Sequence, residues 1–283
     1  LSSYGTKVIL AVITLFTFVG IMLAYWYFGS EHYEVTGIPI LNYHEVDNTF
    51  HTCLTMTPHD FSQQMQYLKN QGYHTITTAQ LNDYLTKGTA LPDKPVMITF
   101  DDGYVDNYTD AYPILKKYNM TGTIFIITSL VGKPGYLSWP QIKKMDKDNI
   151  AFGSHTITHR PLSELDENTV RQELTTSKQQ LETQLGHSIH FIAYPEGKYN
   201  TMVERETKAA GYAGAFTVNA GRLHAGDDPY ALNRVAIFEG NNSFTHFRIR
   251  LLLSTLCGYL WKWHAFFYTT LHLEKLASFI PQP

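Results

Sequence analysis

The chain has 283 residues, enough for one large domain or two modest ones, with ordinary apolar content and many aromatic side chains (16 Phe, 19 Tyr and 4 Trp). A net charge of −3 with neutral histidines leaves no basic surface of the kind a polyanion needs, so no nucleic-acid partner is expected. Two cysteines, Cys53 and Cys257, supply neither a disulfide framework nor zinc-finger spacing.

Residues 8–28 are uncharged and apolar almost throughout. As a helix this run would span about 30 Å, the thickness of a bilayer core. Lys7 precedes it and Glu31 and Glu34 follow, an order that keeps the amino terminus inside. A cleaved signal peptide should have a shorter apolar region ending in small residues. This run ends Ala24-Tyr25-Trp26-Tyr27-Phe28, which resembles an interfacial aromatic belt. Residues 1–30 are therefore expected to form a single-pass membrane anchor, with the rest of the chain outside the cytoplasm.

Beyond the anchor, strand and helix signals alternate. Residues 37–45 read as a strand ending at Tyr43-His44. Thr57-Pro58 opens a helix with Phe61, Met65 and Leu68 on one face, and Gly72 closes it. A short strand at 75–78 and a helix at 79–87, stopped by Gly88, lead to the apolar strand 96–100. Helix 106–118, strand 121–128, helix 138–148 and an apolar stretch from 150 follow. Helix 163–185 carries a capping signal in Ser163 and Asp166, and Gly186 ends it. A strand at 189–194, a helix at 201–210 and strands at 214–218 and 234–238 complete the pattern. This alternation, without a linker, predicts one α/β domain with parallel strands, and the number of repeats suits a barrel better than an open sheet. No glycine-rich phosphate loop follows the first strand, which weighs against a dinucleotide fold. The domain is expected over 31–243. In the tail, 244–283, Lys262 and His264 interrupt an apolar and aromatic run, predicting an amphipathic helix on the membrane or on the barrel rather than a second span.

The chemistry is concentrated in two clusters. Val96-Met97-Ile98-Thr99-Phe100 runs straight into Asp101, Asp102 and Gly103, placing two carboxylates at a strand end, where α/β folds keep their sites. Downstream, His155 and His159 are four residues apart, a spacing that puts both imidazoles on one face of a helical turn. Two imidazoles and one carboxylate make a zinc-like hydrolytic donor set, leaving the other carboxylate free to take a proton from water.

Thr99-Phe100-Asp101-Asp102-Gly103 and Ser154-His155-Thr156-Ile157-Thr158-His159 resemble the first two motifs of the polysaccharide deacetylase family (carbohydrate esterase family 4, the Nod-factor deacetylase homology domain). The resemblance covers about residues 38–240. It implies a deformed (β/α) barrel, one divalent metal ion, usually zinc, and removal of N-acetyl groups from N-acetylglucosamine polymers. Matched by position, it makes Asp101 the general base and Asp102, His155 and His159 the metal ligands. Two departures stand out. The third motif reads Ala193-Tyr194-Pro195-Glu196-Gly197, without its usual arginine, and the late Leu-x-His that supplies an acid histidine is missing. Both departures occur in the poly-β-1,6-N-acetylglucosamine deacetylases of biofilm formation, where the acid histidine comes from an early Tyr-His, matched here by Tyr43-His44. Arg234 is the candidate for the missing cation beside Asp101. A backbone N–H at Gly103 or Tyr104 would help stabilise the oxyanion. Tyr194, Trp139 and Tyr104 are the expected sugar-stacking residues. The alternatives are a deacetylase of chitin-like, peptidoglycan or acetylxylan substrates, or an inactive membrane-anchored glycan-binding protein.

Overall fold

The computed structural model describes residues 36–49, 51–239 and 243–265, together with Gly20. The chain falls into two units, residues 1–36 and 37–283. The expected anchor therefore lies outside the described residues, Gly20 apart. Among the described residues, no helix is long and apolar enough to cross a membrane.

Seven short parallel strands close a barrel. In order around it they are β1 (Ile40–Tyr43), β5 (Pro95–Phe100), β6 (Thr123–Ile126), β7 (Ala151–Ser154), β8 (Phe191–Ala193), β9 (Gly214–Ala220) and β10 (Leu232–Ala236), which returns to β1. β4 (His74–Thr75) adds to the first residues of β5, and β2 (Glu45–Val46) pairs with β3 (Thr55–Met56) as a separate two-stranded element. The observed barrel is the deformed (β/α) type expected.

β5 shows why these strands lack a polar face. Val96, Ile98 and Phe100 join the core beneath the helices, while Met97 joins a second core with Phe125, Phe191 and Phe216. That second core is the barrel interior, where the three phenylalanine rings meet at 5.4–5.5 Å. Gly153 makes room for them, since a Cβ there would collide with the Phe125 ring. The rings fill the barrel, so polar chemistry is left to the strand ends.

The helices are α1 (Pro58–Asn70), α2 (Thr78–Lys87), α3 (Tyr112–Tyr118), α4 (Trp139–Lys147), α5 (Glu167–Leu185), α6 (Thr201–Ala209) and α7 (Ser243–Ala265). Thr57 caps α1, and Gly88 and Gly186 end α2 and α5 in the left-handed conformation, as their sequence signals predict. Thr77, expected in the 75–78 strand, instead caps α2, and Ser138 with Gln141 forms a capping box on α4. Two further expectations change. The helix expected over 106–118 begins as a π turn, Asn107–Ala111, before α3; Pro113 has no N–H for a regular i→i−4 bond near the junction. Asp166, not Ser163, caps α5, accepting from the N–H groups of Asn168 and Thr169, while Leu162–Glu164 forms a separate 3₁₀ turn. In the tail, the described residues form α7, which packs on β9, β10 and α1 with Phe247 and Leu251 buried. Arg222 donates to the carbonyls of Gly37 and Leu251 and to the Ser254 hydroxyl, tying the start of the barrel to α7.

Candidate active site

Strand register assembles the site. Tyr43 pairs with Phe100, so the next residues, His44 and Asp101, leave β1 and β5 side by side. Ile126 pairs with Ser154, placing His155 at the same end of the barrel. Arg234 reaches in from β10, the other neighbour of β1.

Asp101 is buried and fully engaged. Arg234 donates to Oδ1 at 2.8 Å and to Oδ2 at 2.7 Å, and Asn42 donates to Oδ2 at 3.1 Å. Arg234 is itself 1% exposed and fixed by its Nε bond to the Thr217 carbonyl at 2.8 Å. Burial alone would raise the Asp101 carboxyl, but the Arg234 charge and its hydrogen bonds to the carboxylate outweigh it and hold Asp101 well below the usual carboxylate range. The result is a carboxylate that is ionised at neutral pH, with its oxygens oriented by its partners.

Asp102 turns the other way because its backbone is left-handed (φ 72°), as is Gly103 (φ 76°), where a Cβ would meet Ile126 Cδ1 at 2.8 Å. Asp102 Oδ1 lies 3.5 Å from His155 Nε2 and 3.4 Å from His159 Nε2. The Tyr104 hydroxyl hydrogen-bonds the same carboxylate. His155 Nδ1 sits 2.7 Å from the Ala193 carbonyl, which fixes the proton on Nδ1 and turns the Nε2 lone pair toward Asp102. Burial lowers the His155 pKa to about 4, keeping the ring neutral, as a metal ligand must be. Asp102 Oδ1 is buried without a hydrogen-bond partner. A buried carboxylate oxygen left unpaired between two imidazole nitrogens fits a cation, and the N₂O set suits zinc. Among the described residues this is the group able to hold a metal.

The two histidines do not share a helical turn. Residues 155–159 form a loop in which Thr156 (φ 67°) and His159 (φ 61°) are left-handed. Such conformations are strained for a β-branched residue, so surrounding bonds must hold them. Thr156 Oγ1 accepts from His159 N–H at 3.0 Å. The buried Glu173 carboxylate accepts from the N–H groups of Ile157 (2.8 Å) and Thr158 (3.0 Å) and from the Thr158 hydroxyl (2.5 Å). Sequence reading missed Glu173. The available signal was a carboxylate on the buried stripe of α5 formed by Val170, Leu174, Ser177 and Leu181.

His44 Nε2 stands 3.9 Å from Asp101 Oδ2, and its Nδ1 is buried without a partner. Burial lowers its pKa, against the opposing pull of Asp101 and Asp102. Asn107 donates to the His44 carbonyl at 2.9 Å, and Asp106 accepts from Val46 N–H at 3.0 Å, fixing this segment over the barrel mouth. The Gly103 N–H is taken by the Asp101 carbonyl at 3.0 Å, which leaves the Tyr104 N–H of the two expected oxyanion donors.

The expected sugar-stacking residues separate. Tyr104 lies beside Asp102, its ring stacked on Tyr136 at 5.3 Å. Tyr194 is corrected: it is fully buried, stacked on Tyr199 at 5.3 Å with its hydroxyl donating to Thr207, so no ring face is open to a sugar. Trp139 opens α4 and lines a groove against α5, and neither carboxylate of the pair lines that groove.

Comparison with known proteins agrees with this architecture. Residues 88–215 match the polysaccharide deacetylase domain family. A Bacillus subtilis protein assigned to the polysaccharide deacetylases, YxkH, is 36% identical over 203 residues, 72% of each chain. A poly-β-1,6-N-acetyl-D-glucosamine N-deacetylase of Staphylococcus aureus is 30% identical over 200 residues, 66% of this chain and 68% of that one. In structure, the Streptococcus pyogenes deacetylase PplD, solved with acetate, superposes with a TM-score of 0.71 at 31% identity, covering 75% of this chain and 97% of that one. Fold and site thus define a barrel hydrolase acting on carbon–nitrogen bonds. The chain belongs to the polysaccharide deacetylase family.

Proposed function

We propose that this chain removes N-acetyl groups from poly-β-1,6-N-acetylglucosamine in a metal-dependent reaction, releasing acetate, at the outer face of a membrane to which residues 1–30 anchor it. The observation that carries this reading is the pairing of Arg234 with Asp101 beside His44, which supplies, from other strands, both functions missing from their usual family positions. The 30% identity to the S. aureus enzyme supports the choice of glycan.

Asp102, His155 and His159 would hold the metal ion, zinc being the one their donor set suits. When bound, it supplies Lewis-acid polarisation of the acetyl carbonyl and acidifies water. Asp101, kept ionised by Arg234, accepts the proton of the attacking water. The Tyr104 N–H would be the backbone donor to the developing oxyanion, since the Gly103 N–H is taken by the Asp101 carbonyl. His44 donates the proton that the amine nitrogen needs in order to leave, since an amide nitrogen does not depart as an anion. The carbonyl carbon gains the water oxygen as its C–N bond breaks, giving acetate and a glucosamine unit. At neutral pH that amine is largely cationic, so the polymer gains positive charge.

Acetate release from defined β-1,6 and β-1,4 N-acetylglucosamine oligomers tests this reading. The expected result is faster release from the β-1,6 series and loss of release in Asp101→Asn. Activity confined to β-1,4 chains overturns the choice of substrate, and equal release by wild type and Asp101→Asn overturns the mechanism.

A further inference from the structure

Trp139, at the first turn of α4, faces the C-terminal half of α5 across an open groove of about 370 Å³, within the ~300–1,000 Å³ range of small-ligand sites. Opposite the indole stand Gln179, Gln180, Thr183 and Gln184, and Thr128, just after β6, completes the lining. One partly buried aromatic ring facing a row of amides and a hydroxyl is the chemistry that receives a pyranose: the ring stacks on its C–H face, and the amides bond its hydroxyl and acetamido groups in both directions.

Thr128 provides an independent indication. It is 8% exposed, and its Oγ1 has no hydrogen-bond partner. Oγ1 is closed to solvent as placed, and a rotation of the Thr128 side chain toward the groove would let a polar ligand group pair it. The groove is also coupled to the proposed metal loop, because Thr128 and Ser129 donate their N–H groups to the carbonyls of Thr156 and Ile157. The lining carries no Lys, Arg, Asp or Glu, which argues against an ionic ligand and for a neutral sugar.

We propose that this groove is a second glycan-binding site, distinct from the carboxylate pair, that holds a remote N-acetylglucosamine unit of a long chain and so favours polymer over short oligomers. The identity of the sugar rests on the reading given under Proposed function; the groove and its neutral character do not.

The test compares kcat/KM for acetate release from a β-1,6 decamer and a β-1,6 dimer, using the full chain in detergent. In Gln180→Ala/Gln184→Ala, whose side chains lie outside the core, the decamer-to-dimer ratio should fall at least threefold through KM, with the thermal midpoint unchanged. Trp139→Ala should lower the ratio further and Trp139→Phe should restore most of it, because phenylalanine retains a stacking face. A wild-type ratio in the double glutamine variant overturns the proposal. Calorimetric titration of decamer into Asp101→Asn reads the groove without turnover. Binding that weakens when the two glutamines are also replaced supports the site, and binding indifferent to them overturns it. A wild-type chain that binds decamer through these glutamines yet releases no acetate counts against the proposed reaction alone.

Discussion

Arg234 closes both guanidinium Nη atoms on the two oxygens of Asp101, although 133 residues separate them in sequence. Both partners are buried, so neither can be removed without stranding the other's charge. Arg234→Met should therefore lose about 3–5 kcal/mol of stability, measured by denaturant unfolding, and Arg234→Met/Asp101→Asn should recover part of that loss. The same single substitution removes the influence that depresses the Asp101 carboxyl, so the acid limb of the kcat/KM profile should move to higher pH. An unmoved limb would show that Arg234 does not tune the base.

His44 titrates in the opposite sense. Burial lowers its pKa, so as pH rises it loses its proton below the ordinary histidine value of about 6.5. As the proton donor to the leaving amine, it should set a basic limb of kcat/KM beginning below that value. His44→Asn should remove this limb and lower kcat by about 10²–10⁴. A basic limb that persists in the variant would assign it to another group.

Glu173 touches no expected reactive atom, yet it holds the loop that carries both histidines. Glu173→Gln replaces one accepting oxygen with an N–H₂ group facing backbone donors. The loop should then relax from its left-handed turns. We expect zinc affinity, read by competition with a chromogenic chelator, to fall about 10–100-fold, as is typical when outer-shell support is lost. Unchanged affinity would make Glu173 a purely structural residue.

Gly153 is required by the barrel interior. Gly153→Ala places a methyl group against the Phe125 ring and 3.0 Å from the Phe191 carbonyl. Overpacking of this kind costs about 1–3 kcal/mol, which thermal unfolding should show as a lowered midpoint.

Metal removal separates site from scaffold. The barrel core is apolar and continuous without the metal ligands. Dialysis against a chelator should abolish acetate release while leaving circular dichroism unchanged, and added zinc should restore activity. Full activity after exhaustive chelation would contradict metal dependence.

Much of the fold was legible because its signals are local. The apolar run of β5, the helix start at Thr57-Pro58 and the stops at Gly88 and Gly186 each act within a few residues, so they read the same in sequence and structure. Errors arose where neighbours decide. Tyr194 sits in a loop-like motif but is covered by Tyr199 and the α6 residue Thr207, and no local pattern records that cover. The histidine pair was expected on a helical turn, whereas Glu173 and the Thr156 hydroxyl hold it in a strained loop.

Sequence alone determined the alternation of strands and helices and the kinds of side chain available for chemistry: two carboxylates, two histidines four residues apart and an early Tyr-His. Tertiary structure decided which of them meet. Strand register brought His44 beside Asp101, barrel closure brought Arg234 to the same carboxylate, and left-handed backbone at Asp102 turned its oxygen toward the imidazoles. Those choices depend on pairings between residues distant in the chain, and short-range periodicity carries no record of them.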